Sequence, residues 1–256
     1  MTNTIAVINQ KGGVGKSTTA LALGSALARR NYRVLFADLD AQGNLSHTLG
    51  ADPDQPTAFE VLTRAADGRA AVQETPGGRV IASSPALAGA DAVINATGKE
   101  FRLREALEPL GAGYDFIIID TPPALGILTV NALTAADWLL VPAQADIYSL
   151  QGIGQLHQTI VPVRQYCNPG LKILGLVLTR HNPRSVLSRD LTDVLSETAA
   201  AMESRLFKTA IRETVAVREA QAQRQNLFDY APKSTAALDY QALAEEILAV
   251  VGNDGQ

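Results

Sequence analysis

The sequence predicts an α/β fold in which a doubly wound, mostly parallel sheet carries helices on both faces. Short apolar and β-branched runs alternate along the chain with longer segments of helical periodicity. Most of these runs are continuously apolar, as expected for strands that are covered on both sides. Alternation of strands and helices favours parallel pairing through right-handed crossovers. No repeat or linker interrupts the 256 residues, so we expect a single domain over residues 1–256.

Seven segments have the composition of strands, the last of them less clearly than the others: Ile5–Ile8, Val34–Ala37, Val80–Ala82, Phe116–Ile119, Leu139–Val141, Ile173–Leu178 and Leu206–Ile211. Five segments have helical periodicity: Lys16–Arg30, Lys99–Leu110, Leu150–Tyr166, Ser188–Met202 and Ser234–Val251. Ala51–Pro56 and Glu74–Gly78 are rich in proline, glycine and acidic residues, which predicts surface loops. The first strand begins about four residues into the chain, so we expect no N-terminal helix-turn-helix module.

Composition excludes several classes of protein. Hydrophobic residues make up 46% of the chain and the mean hydropathy is +0.05, which supplies a sizeable core and excludes wholesale disorder. The net charge of −4 excludes a chain coated in basic residues, although not a local basic patch. The single cysteine, Cys167, cannot form an internal disulfide, a zinc cluster or a four-thiolate iron–sulfur site. With no signal peptide or apolar membrane segment in the sequence, we expect a cytoplasmic protein.

The strongest motif is a glycine-rich segment between the first predicted strand and the first predicted helix. It consists of Lys11, Gly12, Gly13, Val14, Gly15, Lys16, Ser17 and Thr18. Glycines let backbone N–H groups approach phosphate oxygens, and the start of a helix adds partial positive charge there. Lys16 is expected to reach the β- and γ-phosphates of a nucleotide, and the Ser17 hydroxyl to ligate Mg²⁺. Gln10 stands where the ordinary Walker A spacing has its first glycine, and Lys11 is an additional lysine.

Lys11 lies at the outer edge of this loop, where its ammonium is poorly placed for phosphates that its own loop holds. It is either a solvated surface lysine or a residue that reaches the nucleotide of a facing subunit. The segment K-G-G-x-G-K-[ST] resembles the deviant Walker A signature of the ParA/MinD ATPases, which are P-loop NTPases. In that family the first lysine acts across a nucleotide-sandwich dimer. The resemblance therefore implies a homodimer when ATP is bound.

Carboxylates follow two of the predicted strands. Asp38 and Asp40 come at the end of Val34–Ala37, where open parallel sheets bind ligands, although helix capping or a turn is the alternative. The segment Asp38–Asn44 resembles the D-x-D-P-Q-G-N switch I of the family, with Ala41 in place of proline, and this resemblance implies that Asp40 is the hydrolytic aspartate. Asp120 ends an apolar strand in Walker B form and is expected to hold Mg²⁺ through a water molecule.

The resemblance covers most of the chain and is nearest to the short partition ATPases of the ParA/Soj type. It thins across about residues 51–100 and 180–212, and Gln221 replaces the proline that commonly follows the Glu-Ala pair in the family. It implies Mg²⁺-dependent hydrolysis of ATP to ADP and phosphate, slow without an activator. It also implies non-specific DNA binding by the dimer and plasmid or chromosome partition with a ParB-like centromere-binding protein.

The segment from Arg180 to Arg224 carries eight basic and six acidic residues within an acidic chain. Such a patch in a dimer could neutralise several phosphates and give weak, salt-sensitive DNA binding on the nucleoid. The alternative is a set of solvated arginines on helix faces. Arg189, Arg212 and Arg218 are the candidate DNA contacts.

Other functions of the same superfamily are alternatives to partition. A related ATPase that positions a protein cargo would share the nucleotide site, so motifs cannot separate the two. A MinD-like membrane helix is disfavoured because the C-terminal segment carries Asp239, Glu245 and Glu246 and its apolar stripe suits packing on the sheet. Stable membrane association is therefore not expected.

ATP-dependent amidotransferases and synthetases would need a substrate pocket with its own acid and base groups, and no such set is evident. His47, His157 and His181 have no metal-ligand spacing.

Overall fold

A mostly parallel sheet of seven strands forms the centre of the described part of the chain, which comprises residues 2–182 and 186–253 of a computed structural model, with the side chains of 186–189 and 253 outside that description. In chain order the strands are β1 (Asn3–Val7), β2 (Val34–Asp38), β3 (Val72–Thr75), β4 (Gly78–Ile81), β5 (Phe116–Asp120), β6 (Trp138–Ala143) and β7 (Lys172–Leu178). Across the sheet the order is β3-β4-β2-β5-β1-β6-β7. Only the β3–β4 pair is antiparallel among these described strands.

The α-helices of the same described residues are α1 (Lys16–Ala28), α2 (Asn44–Leu49), α3 (Ala58–Thr63), α4 (Ala90–Val93), α5 (Arg102–Leu107), α6 (Ile127–Ala135), α7 (Ile147–Tyr166), α8 (Val186–Ala201), α9 (Val215–Ala222), α10 (Leu227–Tyr230) and α11 (Thr235–Asn253). Three 3₁₀ segments accompany them: Pro85–Gly89, Lys99–Phe101 and Glu108–Gly113. No helix in the described ranges is both long enough and apolar enough to cross a bilayer.

The β5 strand explains why the sheet is covered on both faces. Successive side chains of a strand point to opposite faces. Phe116 and Ile118 pack in one buried cluster with α1, α10 and α11, whereas Ile117 and Ile119 pack in another with α3, α5, α6 and α7. Full burial of such a side chain stabilises the fold by about 1.5–3 kcal/mol. A continuous apolar run is therefore what a doubly covered strand needs, and the predicted α/β fold class is confirmed.

The predicted strand Leu206–Ile211 is wrong. Phe207 and Ile211 donate backbone hydrogen bonds to the carbonyls of Leu176 and Leu178 on β7, but the pairing amounts to isolated bridges. Between those two points the amides of Lys208 and Thr209 donate to the carboxylate of Glu246, at 3.1 and 2.8 Å. A side chain of α11 thus accepts from the Thr209 amide, which would bond to β7 in a continuous strand.

Two further local predictions differ from the structure. Glu74–Gly78 is not a loop but the middle of a β3–β4 hairpin, in which Pro76 and Gly77 alone form the turn and Gly78 has a φ of +136°, a conformation that favours glycine. The predicted helix Lys99–Leu110 is broken into a 3₁₀ turn, α5 and a second 3₁₀ segment. Pro109 lacks an N–H, so it cannot continue the α-helical hydrogen bonding beyond α5.

The C-terminal helix α11 packs on the sheet, as the sequence predicts. Its residues Leu243 and Ile247 are buried in the same cluster as β1 and α1, and Val251 continues that stripe. Trp138 also lies in this cluster, at the start of β6. The apolar face of α11 therefore stabilises the core.

Candidate functional site

The glycine-rich loop connects the end of β1 to the start of α1, as the sequence predicts. Gly13 and Gly15 have φ values of +76° and +87°, and Gly15 is the N-terminal cap residue of α1. A Cβ atom placed on either would meet nothing within 4 Å, so the requirement for glycine is conformational rather than steric. The left-handed turns direct the loop towards a cavity of about 500 Å³ that Gly12, Gly15, Lys16, Ser17 and Thr18 help to line.

Lys16 is held at the base of this cavity. Its side chain is largely buried and its Nζ donates to the backbone carbonyl of Lys11, 3.3 Å away. Burial lowers the pKa of Lys16, while the nearby carboxylates of Asp120 and Asp40 oppose that shift. A buried cation with one long hydrogen bond has donors left for an anionic ligand.

Asp38 and Asp120 are register partners at the C-terminal ends of the adjacent strands β2 and β5. Asp38 accepts hydrogen bonds from the Ser46 amide and hydroxyl, at 2.9 and 2.7 Å, and from the Asp40 amide at 3.1 Å. Burial, partly offset by these hydrogen bonds, raises the pKa of Asp38 to about 6. Asp38 therefore organises the turn that follows β2.

Asp120 differs from Asp38 because both of its carboxylate oxygens are buried without a hydrogen-bond partner among the described residues. Burial raises the pKa of Asp120 well above its usual range, and the Asp38 carboxylate adds to the rise. The Ser17 hydroxyl lies close enough to oppose this shift but does not reach hydrogen-bonding geometry. An unsatisfied buried carboxylate beside a hydroxyl fits the oxygen ligands that Mg²⁺ prefers.

Asp40 lines the cavity and is only partly buried. Its Oδ1 accepts from the Gln42 amide at 3.0 Å, so the turn-forming role that the sequence left open is present. Its backbone carbonyl accepts from the Ser83 hydroxyl, which fastens the turn to the residues after β4. The carboxylate consequently has a defined position on the wall of the cavity.

Lys11 is paired within its own chain. Its Nζ contacts the carboxylate of Asp146 and donates to Gln144 Oε1, 3.0 Å away. Asp146 is also the N-cap of α7, accepting from the Ser149 amide at 2.8 Å. Although burial acts in the opposite direction, the hydrogen bonds from Lys11 and Ser149 lower the pKa of Asp146. The side chain of Lys11 is thus held against the residues that follow β6 instead of extending into solvent.

A second cavity, of about 190 Å³, lies beside the loop and is formed by Gly13, Thr18 and residues that follow β7. Gln221 on α9 closes one side, donating from Nε2 to Thr18 Oγ1 at 2.9 Å. Arg212 lines the same cavity and forms a bidentate ion pair with Asp239. Its Nε donates to Asp239 Oδ2 at 2.9 Å and its Nη2 donates to Asp239 Oδ1 at 2.6 Å. The two cavities are adjacent, because both are lined by Gly13, Gly15, Thr18 and Gln221.

The three candidate DNA contacts are placed differently. The side chain of Arg189 lies outside the described residues. Arg212 is engaged with Asp239, so a DNA phosphate would have to compete with that pair. Arg218 lies on α9 and lines the smaller cavity. The structure therefore brings Arg212 and Arg218 to the edge of the loop rather than to a separate surface.

Four site residues were not predicted from the sequence: His47, which lines the larger cavity, Gln144 and Asp146, which contact Lys11, and the Gln221 amide, which contacts Thr18. Asp146 carried a usable signal because it follows the end of β6, at the sheet edge where Asp38 and Asp120 also lie. Gln221 carried a weak signal, because it follows the Glu-Ala pair of the family resemblance. His47 carried none, because its place depends on how α2 packs beside α1.

Comparison with known proteins agrees with this arrangement. The AAA domain family matches residues 2–173. The chain is 39% identical to the sporulation initiation inhibitor protein Soj of Bacillus subtilis, over 96% of this chain and 98% of that protein. It is 38% identical to the chromosome partitioning protein ParA of Myxococcus xanthus, over 95% of this chain and 87% of the relative. A crystal structure described as cobyrinic acid a,c-diamide synthase from Mycobacterium smegmatis, with a bound ATP analogue and magnesium, superposes with a TM-score of 0.85 at 36% identity, covering 100% of this chain and 98% of that one.

Proposed function

The chain belongs to the ParA/Soj family of ATPases, and we propose that it drives plasmid or chromosome partition as an ATP-dependent homodimer that binds DNA non-specifically. As a member of that family it is a Mg²⁺-dependent hydrolase that converts ATP to ADP and phosphate. The observation that carries the proposal is the position of Lys11, at the outer edge of the phosphate loop and in contact with Asp146 at the start of α7.

The residues of the cavity account for the hydrolysis. The loop amides and Lys16 are placed to bind the phosphates, and Asp120 with Ser17 would hold Mg²⁺. A cation held there would offset the negative charge on the β- and γ-phosphates. Asp40, on the wall of the cavity, accepts a hydrogen bond from the attacking water and aligns it with the phosphorus. No strong base is required, because positioning and charge neutralisation supply most of the catalysis. Slow turnover without an activator is what the family resemblance implies.

Dimerisation requires Lys11 to exchange partners. The side chains of Lys11 and Asp146 are 26% and 32% exposed, and a pair of this kind contributes only about 0–1 kcal/mol. A triphosphate from a facing subunit offers several charged oxygens and is the stronger acceptor. ATP thereby favours the dimer because its γ-phosphate contacts both subunits, and ADP releases it.

The surface beside Lys11 suits a second copy of the chain. Ile147 and Tyr148 follow Asp146 directly and are 63% and 72% exposed, which is unusual for large apolar side chains. Their burial in a dimer would add apolar contact around the nucleotide. We therefore place the start of α7 in the dimer interface.

The DNA and protein partners follow from the same proposal. Arg218 and the side chain of Arg189 are proposed DNA contacts, and Arg212 contributes once its pair with Asp239 opens. The proposed partner protein is a ParB-like centromere-binding protein that accelerates hydrolysis. We propose that the protein works in the cytoplasm on the nucleoid, without stable membrane association.

A DNA-binding titration tests the proposal most directly. Binding of duplex DNA is measured with ATP, with ADP and without nucleotide, each at two salt concentrations. We expect binding with ATP only, weakened strongly by salt, because several phosphates are neutralised together. The Lys16→Ala variant, which should not bind ATP, is the matched control. Equal DNA binding in all three nucleotide states, or no binding in any of them, would contradict the proposal.

A further inference from the structure

A cleft of about 420 Å³ lies away from the nucleotide site, between the end of α3 and the helix α5. Pro109 lines this cleft and precedes β5, so the cleft lies towards the N-terminal ends of the strands. The phosphate loop follows β1 and therefore lies at the C-terminal ends of the strands. The cleft has the volume of a small-molecule site and shares no lining residue with either cavity at the loop.

Three arginines line this cleft, against two carboxylates. Arg64 is paired with Glu105 at 2.6 Å, and the Asp67 carboxylate accepts the Ala70 amide at 2.9 Å. Arg69 and Arg102 form no ion pair within the described part of the chain. The charge that remains in the cleft is therefore positive.

Arg102 is the least satisfied of these groups. Its Nη1 donates a long hydrogen bond to the Leu62 carbonyl, at 3.4 Å, while its Nε is buried with no partner among the described residues. Arg69 donates a single hydrogen bond to the Pro109 carbonyl, at 3.1 Å. A guanidinium has five N–H donors in a fixed plane, so both residues keep donors for a further acceptor.

The remaining walls are apolar. Val61, Ala106 and Pro109 line the cleft beside the arginines. Pockets that bind small molecules combine such walls with a few placed polar groups. A flat or compact apolar body would fit between the helices while its charged end meets the guanidinium planes.

We propose that this cleft binds a small organic anion whose oxyanion group, phosphate or carboxylate, contacts Arg69 and Arg102 and whose apolar part lies against Ala106 and Pro109. The planar guanidinium matches both oxyanions through two parallel hydrogen bonds. The ligand accepts hydrogen bonds from the terminal N–H groups of Arg69 and Arg102 that do not bond to the Pro109 and Leu62 carbonyls. The site is separate from ATP binding and does not depend on dimerisation.

The test is a binding titration of the full-length protein that is monitored by NMR. Phenyl phosphate and benzoate are the probes, and benzamide is the uncharged comparison. ADP and Mg²⁺ are present throughout so that the phosphate loop stays occupied. We expect saturable binding of one or both anions, with benzamide at least tenfold weaker. Phenyl phosphate binding alone identifies a phosphate site, and benzoate binding alone a carboxylate site.

Variants decide whether the cleft is the site. Arg102→Gln and Arg69→Gln should each weaken binding at least tenfold, and Ala106→Leu should do so by filling the cleft without removing charge. Arg104→Gln is the matched control, because Arg104 lies on the same helix but donates to the Cys167 carbonyl instead. Thermal unfolding confirms that each variant is folded. Anions that bind no better than benzamide, or binding that survives all three cleft variants, would overturn the proposal.

Discussion

The ammonium of Lys11 contacts the carboxylate of Asp146, 135 residues further along the same chain. Lys11 therefore has a partner within its own subunit, at the mouth of the loop that holds the phosphates. The dimer proposed above replaces this contact with one to the facing nucleotide. Two predictions follow from that exchange, one for each member of the pair.

Lys11→Ala should leave ATP binding intact and remove ATP-dependent dimers. The side chain lies outside the cavity that Lys16 lines, so nucleotide affinity does not depend on it. Hydrogen bonds to charged groups contribute about 1.5–3 kcal/mol, so dimer affinity should fall about tenfold or more. Light scattering with ATP and Mg²⁺ measures the change. Lys172→Ala is the control, because Lys172 begins β7 at the opposite ends of the strands. Dimers of wild-type strength in Lys11→Ala would show that Lys11 does not exchange Asp146 for the facing nucleotide.

Asp146→Asn should strengthen the ATP-dependent dimer slightly, by up to about fivefold, because Lys11 no longer has an ion pair to leave. Asparagine is a good N-cap, so the start of α7 should be preserved. Sedimentation at a series of protein concentrations gives the dimer dissociation constant. A weaker dimer would show instead that Asp146 itself contributes to the interface.

Asp40→Ala should bind ATP and dimerise but hydrolyse it at least a hundredfold more slowly, because no carboxylate aligns the attacking water. ATP-bound dimers should then stay on DNA. Phosphate release and dissociation from immobilised DNA measure the two effects. Asp54→Ala removes an exposed carboxylate outside the cavity and should behave as wild type. If Asp40→Ala turned over normally, another group would have to position the water.

Asp38 should make the free energy of unfolding depend on pH. Burial raises its pKa to about 6, against about 3.9 in the unfolded chain. Between these values the folded state binds more protons than the unfolded state, so this group stabilises the fold increasingly as pH falls from about 6 to 4. Relative to Asp38→Asn, the wild type should gain about 1 kcal/mol between pH 7 and pH 5.

Urea unfolding of both proteins without nucleotide, at pH 5, 6 and 7, measures this difference. Asparagine keeps one oxygen to accept the hydrogen bonds from Ser46, so the variant should fold. A difference between the two proteins that does not change with pH would mean that Asp38 does not titrate in this range.

Much of the fold can be predicted from local sequence, and the elements that local sequence mispredicts show what depends on distant residues. The apolar run Phe116–Ile119 predicts β5 correctly, because the strand is buried on both faces. Leu206–Ile211 is a mixed run that contains Lys208 and Thr209, and its predicted strand fails because Glu246 accepts from both of those amides. The strand β3 is short and half-exposed, and nothing in its composition separates it from a loop. Such outcomes depend on residues that are distant in the chain.

The sequence by itself determined the phosphate loop and the carboxylates Asp38, Asp40 and Asp120, because each motif is a short local segment. It determined the fold class because strand and helix patterns alternate along the whole chain. Tertiary structure alone decided that Lys11 contacts Asp146 and that Arg69 and Arg102 share a cleft. It also decided that the Asp38 carboxylate accepts hydrogen bonds, whereas the Asp120 carboxylate has no partner in the part of the chain that the structure describes. These relationships arise when distant segments pack against one sheet, and their distances are set by that packing rather than by spacing along the chain.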